Sequence, residues 1–153
     1  MDKTWKTVAE LLGNRREVFR ISPEELVISA LEKLAEKDVG ALMVCREESL
    51  VGIISERDCA RKVELLGRTA RDTKVQDIMT VDVRYVTLDH KVDQCAALMK
   101  RYRLRHLPVV QDGRIVGVLS NRDVVEEVIA EEEHLIHDLE LERLRMTTDT
   151  GTY

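Results

Sequence analysis

The chain has 153 residues, of which 44% are apolar, 35% charged and 3% aromatic, with a formal net charge of −5. That length suits one domain or two half-domains sharing a core, and the scarcity of aromatic residues makes the core aliphatic. A net negative molecule is not built to grip nucleic acid or an anionic membrane, and no apolar run approaches the ~20 residues of a membrane span.

In chain order, residues 7–12 (TVAELL) form a short amphipathic segment whose pattern returns at residues 74–79 (KVQDIM). Residues 18–21 read as a strand. Ser22-Pro23-Glu24-Glu25 then has the form of a helix start, with Ser22 as N-cap, Pro23 at the first helical position and Glu25 at the third. Leu26, Val27, Ala30, Leu31 and Leu34 recur at helical spacing and define a buried face. Residues 41–45 and 50–54 are apolar runs of strand length joined by a polar turn, and Ser55 opens a helix ending near Gly67.

The same order follows again. Residues 67–73 link the halves, and Thr73 to Gln76 has the form of a capping box. Residues 83–86 read as a strand, Thr87 as an N-cap, and Val92, Cys95, Ala96 and Met99 as a buried helical face. Residues 107–110 and 115–119 flank Asp112-Gly113, a strong hairpin signal. A last helix starts at Ser120 and outruns its counterpart, to about residue 145, with Val128, Leu135, Ile136 and Leu139 apolar.

The two halves are copies. Residues 51–58 read VGIISERD and residues 116–123 read VGVLSNRD, at an offset of 65. The offset holds without a gap from about Val18 to Val63. A long period present twice predicts two small units packed as a pair.

The strings Ser55-Glu56-Arg57-Asp58 and Ser120-Asn121-Arg122-Asp123 are candidate sites. As local structure they are helix caps, with Ser accepting from an amide and Asp suiting the first turn. A strand running into a helix also leaves free N–H groups and a positive dipole end, which attract phosphate. The basic run ending in Arg105-His106 is a solvated helix end in the ordinary reading, yet it directly precedes a strand. His134 and His137 share a helical face with Glu131 and Glu133 nearby, and read as a solvated acidic surface. No Ser/His/Asp set, P-loop, GxGxxG or paired-carboxylate pattern appears, so a catalytic role is not expected.

The strings GALMV…LVGIISERD and LRHLPVVQDGRIVGVLSNRD resemble the two halves of a CBS-domain pair, or Bateman module. The linker ARKVELLGRTARDTKVQDIMT and the RHLPVV segment resemble small stand-alone CBS-pair proteins. The resemblance spans about residues 4–140. It implies an α+β fold of two tandem repeats, each strand-helix-strand-strand-helix, related by pseudo-two-fold symmetry. It also implies a regulatory module that binds an adenosine ligand between the repeats: AMP, ADP, ATP or NAD, with S-adenosylmethionine behind them.

Carried over residue by residue, Asp58 and Asp123 hold ribose hydroxyls, with Ser55 and Ser120 near phosphate. Arg105 and His106 meet phosphate, with Arg57 and Arg122 in support. The base falls near Ser22 and Thr87, Val39 and Leu104, and Ile53 and Val118. The first copy has Gly40-Ala41 where the second has Arg105-His106. That difference predicts unequal sites, the tighter for phosphorylated ligands being built from Asp123, Arg105 and His106. The pairing of residues between repeats is left open at this level.

The expected organisation is a first repeat with an N-terminal helix at residues 1–67, a second with an extended C-terminal helix at 68–145, and a flexible tail at 146–153. The family often forms two-fold dimers, and the apolar stripe on the last helix predicts a homodimer that signals to an unknown effector protein. The competing reading is a ligand-independent dimerisation or scaffold protein. Cys45, Cys59 and Cys95 form no CxxC pair and fit a reducing compartment. The first residues lack the apolar stretch of a secretory signal. The expected setting is cytoplasmic.

Overall fold

A computed structural model describes residues 4–150, with side chains through Arg143. Its elements are α1 (Val8–Leu12), β1 (Arg20–Ile21), α2 (Val27–Lys37), β2 (Ala41–Arg46), β3 (Ser49–Ser55), α3 (Glu56–Cys59, continued by a π-helical turn at Ala60–Glu64), α4 (Val75–Ile78), α5 (Val92–Tyr102), β4 (His106–Gln111), β5 (Arg114–Ser120) and α6 (Asn121–Thr150). The result is a mixed α+β protein of two matching halves. One carries the three-stranded sheet β1-β2-β3, the other the two-stranded sheet β4-β5.

Each half is a hairpin with a helix on either side. β2 pairs antiparallel with β3, β4 with β5, and each pair carries an irregularity at the same repeat position, Val44/Cys45 and Val109/Val110. Asp112 and Gly113 both adopt positive φ, as a two-residue hairpin turn requires.

The predicted strand at residues 83–86 is reduced to a single bridge, Val86 to Val109. In the first half the Met43 amide donates to the Phe19 carbonyl at 3.0 Å and extends the parallel pairing. The same repeat position in β4 is Pro108, which has no N–H to give.

The helix starts also differ from expectation. α2 begins at Val27 and α5 at Val92, each several residues beyond the expected caps Ser22 and Thr87. Ser22 and Thr87 instead open turns: the Ser22 amide donates to Glu25 Oε2 at 2.8 Å, and the Thr87 amide donates to His90 Nδ1 at 3.0 Å. Thr73 does not cap α4 either; its hydroxyl donates to the Thr69 carbonyl at 2.7 Å.

The first amides of α2 and α5 are met by carbonyls from a distant segment. Val27 N–H donates to Thr73 and Val92 N–H to Lys6, and Val75 and Val8 return bonds to Glu25 and His90. Each long helix is thereby stitched to a short helix distant in sequence, α2 to α4 and α5 to α1. α4 packs Val75 and Ile78 into the first core, with Val27, Leu34, Leu42, Val44 and Ile54. α1 packs Val8 and Leu12 into the second core, with Val86, Val92, Leu107, Val109 and Leu119. The N-terminal helix, grouped by sequence with the first repeat, therefore completes the second.

Two glycines permit this stitching. A Cβ on Gly117 would lie 2.8 Å from Leu12 Cδ1, and one on Gly52 would lie 2.7 Å from Met79 Sδ and 3.0 Å from the Thr80 carbonyl. Between the halves, Met43 and Cys45 of β2 meet Ile115 of β5 in a small third cluster.

α6 reaches Thr150, past the expected end near residue 145. The expected tail at residues 146–153 thus begins in helical backbone, and residues 151–153 lie outside the described residues. Val124 and Val128 belong to or pack on the second core, whereas Val125, Ile129, Ile136 and Leu139 are exposed. Among the described residues no helix is long and apolar enough to cross a membrane.

Candidate functional site: two cavities between the repeats

The two Ser-x-x-Asp strings sit where a central strand becomes a helix, β3 into α3 and β5 into α6. At the first, Ser55 Oγ accepts from the Asp58 amide at 3.1 Å, and Asp58 Oδ2 accepts from the Ser55 amide at 3.0 Å. At the second, the reciprocal bonds are 3.1 and 2.9 Å. The capping role is therefore real at both. It uses one carboxylate oxygen and leaves the other, Oδ1, for a further partner.

Two cavities of about 350 Å³ each open at these junctions. One is lined by Asp123, Ser120 and Val118 from the second repeat and by Val39, Gly40, Ala41 and Met43 from the first. Arg15, Glu17 and Phe19, from the segment ahead of β1, close it. The other is lined by Asp58, Ser55, Ile53, Glu56 and Arg57 from the first repeat and by Leu104, Arg105 and His106 from the second. Thr80, Asp82, Val83 and Arg84 close that one, with Arg103 beside them. Each cavity thus takes its carboxylate from one repeat and the lead-in to a strand from the other. Gly40, Ala41 and His106 line both and form their common wall.

This crossing corrects one expectation. Arg105 shares a cavity with Asp58, not with Asp123, because its side chain belongs to the strand lead-in that faces the other repeat's junction. His106 touches both cavities. Three further candidates line neither. Ser22 and Thr87 are engaged in the turns that replace the expected helix starts. Arg122 points outward and pairs with Glu126 at 3.0 Å, whereas Arg57 at the matching position lines the Asp58 cavity.

The free carboxylate oxygens are engaged by cations. Asp123 Oδ1 pairs with Arg15 at 3.0 Å, and Asp58 Oδ1 with Lys62 at 3.1 Å and, more weakly, with the Thr80 hydroxyl at 3.4 Å. Burial raises the Asp123 carboxyl, but the Ser120 amide and the Arg15 guanidinium outweigh it and hold the group below the usual carboxylate range. Burial lowers His106, Arg105 lowers it further, and Asp123 only partly offsets them, so the neutral imidazole is favoured.

Sequence reasoning missed Arg15, Phe19, Thr80 and Arg84. The signal was present: the offset of 65 pairs Phe19 with Arg84 and, continued upstream of Val18, Glu17 with Asp82 and Arg15 with Thr80.

The arrangement offers a carboxylate acceptor beside a helix N-terminus, apolar walls and backbone polar groups. That is chemistry for holding a vicinal diol, a flat base and an anion. Among the described residues no cluster of His, Cys, Asp and Glu is placed to hold a metal, and His134 pairs with Asp138 at 3.6 Å.

Fold and cavities together define a tandem module of two intercrossed copies with a cavity at each strand-to-helix junction. The chain belongs to the CBS domain family, whose model matches residues 8–65 and 75–130. It is 38% identical over 133 residues to "CBS domain-containing protein CBSX3, mitochondrial" of Arabidopsis thaliana, covering 84% of this chain and 62% of that protein. The chain thus spans about three-fifths of that relative's length. Its structure superimposes on a protein with CBS domains from Burkholderia ambifaria at a TM-score of 0.78, with 41% identity, 82% of this chain and 95% of that one covered. It also matches a CBS domain pair solved in complex with 5′-methylthioadenosine and S-adenosyl-L-methionine, at a TM-score of 0.70 and 25% identity, over 80% of this chain and 95% of that one. Stand-alone pairs of this family are typically regulatory.

Proposed function

We infer that this chain is a non-catalytic regulatory module that binds an adenosine nucleotide between its repeats and passes the occupancy on as a change in the arrangement of the pair. The observation that carries this is the pair of cross-built cavities, each with a capping carboxylate at a strand-to-helix junction. AMP, ATP or NAD is the favoured ligand. S-adenosylmethionine ranks behind them, although the related pair with methylthioadenosine and S-adenosylmethionine supports adenosine recognition in this architecture. The receiver of the signal is an effector protein of unknown identity.

The active assembly is a homodimer. Val125, Ile129, Ile136 and Leu139 on α6 and Leu65 and Leu66 after α3 are all exposed, and an apolar stripe of that length supports an interface between copies. A reducing compartment such as the cytoplasm fits Cys45, Cys59 and Cys95, all buried and unpaired. The same stripe is what a ligand-independent dimerisation protein would need, and ligand binding separates the two readings. Calorimetry and thermal shift with AMP, ATP, NAD and S-adenosylmethionine test them. A ligand at ~100 times its dissociation constant stabilises the fold by about 2.7 kcal/mol. No heat and no shift with all four overturns the sensor reading and leaves the scaffold.

A further inference from the structure

The two cavities occupy matching places in the repeats, yet their charges differ. The Asp58 cavity is lined by four arginines and three carboxylates, the Asp123 cavity by one arginine and two carboxylates. That single arginine, Arg15, is already paired with Asp123 at 3.0 Å. In the Asp58 cavity, Arg57, Arg103 and Arg105 pair with no carboxylate among the described residues, and Arg84 lies 4.0 Å from Asp82.

One pair of side chains is inverted between the repeats. In the second repeat the guanidinium of Arg84 stacks on the ring of Tyr102, 3.8 Å from its centroid. At the matching positions of the first repeat stand Phe19 and Lys37, with the ammonium 5.6 Å from the Phe19 centroid. Cation and ring have exchanged places. Arg84 and Phe19 are the members that line the cavities, so the inversion gives the Asp58 cavity a guanidinium and the Asp123 cavity an aromatic face. A ring behind the guanidinium fixes its plane while leaving its N–H edge free for an anion.

We propose that the Asp58 cavity selects ligands carrying two or more phosphates, and that the Asp123 cavity takes a nucleoside of little or no charge stacked on Phe19. This deepens the adenosine reading above and rests on it for the second cavity only. Unpaired guanidiniums recognise a polyphosphate chain through charge-assisted, bidentate bonds. A cavity whose only guanidinium is neutralised, with Glu17 still facing it, repels the same chain.

The test uses the full chain, with tripolyphosphate and adenosine as separate calorimetric probes. Arg84→Gln weakens tripolyphosphate about tenfold and leaves adenosine unchanged, since one charge-assisted bond is lost. Phe19→Leu weakens adenosine about tenfold and leaves tripolyphosphate unchanged, as loss of a stacking face predicts. Tyr102→Phe retains tripolyphosphate affinity, and Tyr102→Leu reduces it. Thermal melts confirm that each variant is folded.

The proposal is overturned if tripolyphosphate does not bind, if Arg84→Gln leaves it untouched, or if Arg15→Gln weakens it as much as Arg84→Gln. If adenosine fails to bind while tripolyphosphate behaves as expected, the polyphosphate site stands. The Asp123 half of the proposal then falls, while the adenosine reading is decided separately by AMP, ATP, NAD and S-adenosylmethionine.

Discussion

Replacing Asp123 by Ala separates its two roles. The carboxylate accepts from the Ser120 amide at 2.9 Å, which secures the start of α6, and pairs with Arg15 at 3.0 Å. Ser120 stays as the N-cap, but losing the reciprocal half of the capping box costs about 1 kcal/mol. The Arg15 side chain is 59% exposed, so that pair adds only about 0–1 kcal/mol. Asp123→Ala should therefore destabilise the fold by roughly 1–2 kcal/mol at pH 7, about 2–8 °C in melting temperature for a chain of this size.

The sign with pH follows from the depressed carboxyl. Its contribution is complete above the unfolded value of about 3.9 and is lost as pH falls through the lower folded value. Urea melts of wild type and variant, stepped down from pH 7, should converge below pH ~4. A gap that persists undiminished in acid refutes the ionic origin. A loss on Arg15→Ala equal to that of Asp123→Ala shows that the ion pair, not the cap, carries the effect.

Gly117→Ala places a Cβ 2.8 Å from Leu12 Cδ1. It should cost about 1–3 kcal/mol by overpacking, and Leu12→Ala in the same chain should recover part of that, which a double-mutant cycle of melts would measure. Truncation after Ala130 removes Ile136 and Leu139 from α6 and should shift the light-scattering mass from dimer toward monomer; an intact chain that is monomeric at micromolar concentration refutes the interface. Burial pushes the thiols of Cys59 and Cys95 up to about 11, so both should resist alkylation at pH 7.5 in the folded protein and react fully in denaturant.

The junctions at Ser55 and Ser120 were legible because a cap is a local device: donor and acceptor lie three residues apart. The hairpins were legible for the same reason. The starts of α2 and α5 were not, because their amides are met by Thr73 and Lys6, far away in the chain. Ser22 and Thr87 make the three-residue bonds of a cap, to Glu25 and His90, but there they close turns, and the distant carbonyls decide where the helices begin. The grouping of Arg105 with Asp58 is likewise a non-local fact, set by how the repeats cross. The shortened pairing at residues 83–86 was readable in principle, since Pro108 announces a missing donor.

A ribosome makes this chain in sequence order, so α1 leaves the tunnel ahead of both cores. Every buried member of the first core lies between Ile21 and Ile78, so that half can close as soon as α4 has been made. The partners of α1 run from Val86 to Val124 and do not yet exist at that moment. Val8 and Leu12 must wait, uncovered, while most of the second half is synthesised, so a helix made ahead of both cores is among the last to be seated. During that interval the second half of a neighbouring chain would serve α1 equally well. Two chains that traded their first helices would bury the same surfaces and form an exchanged dimer.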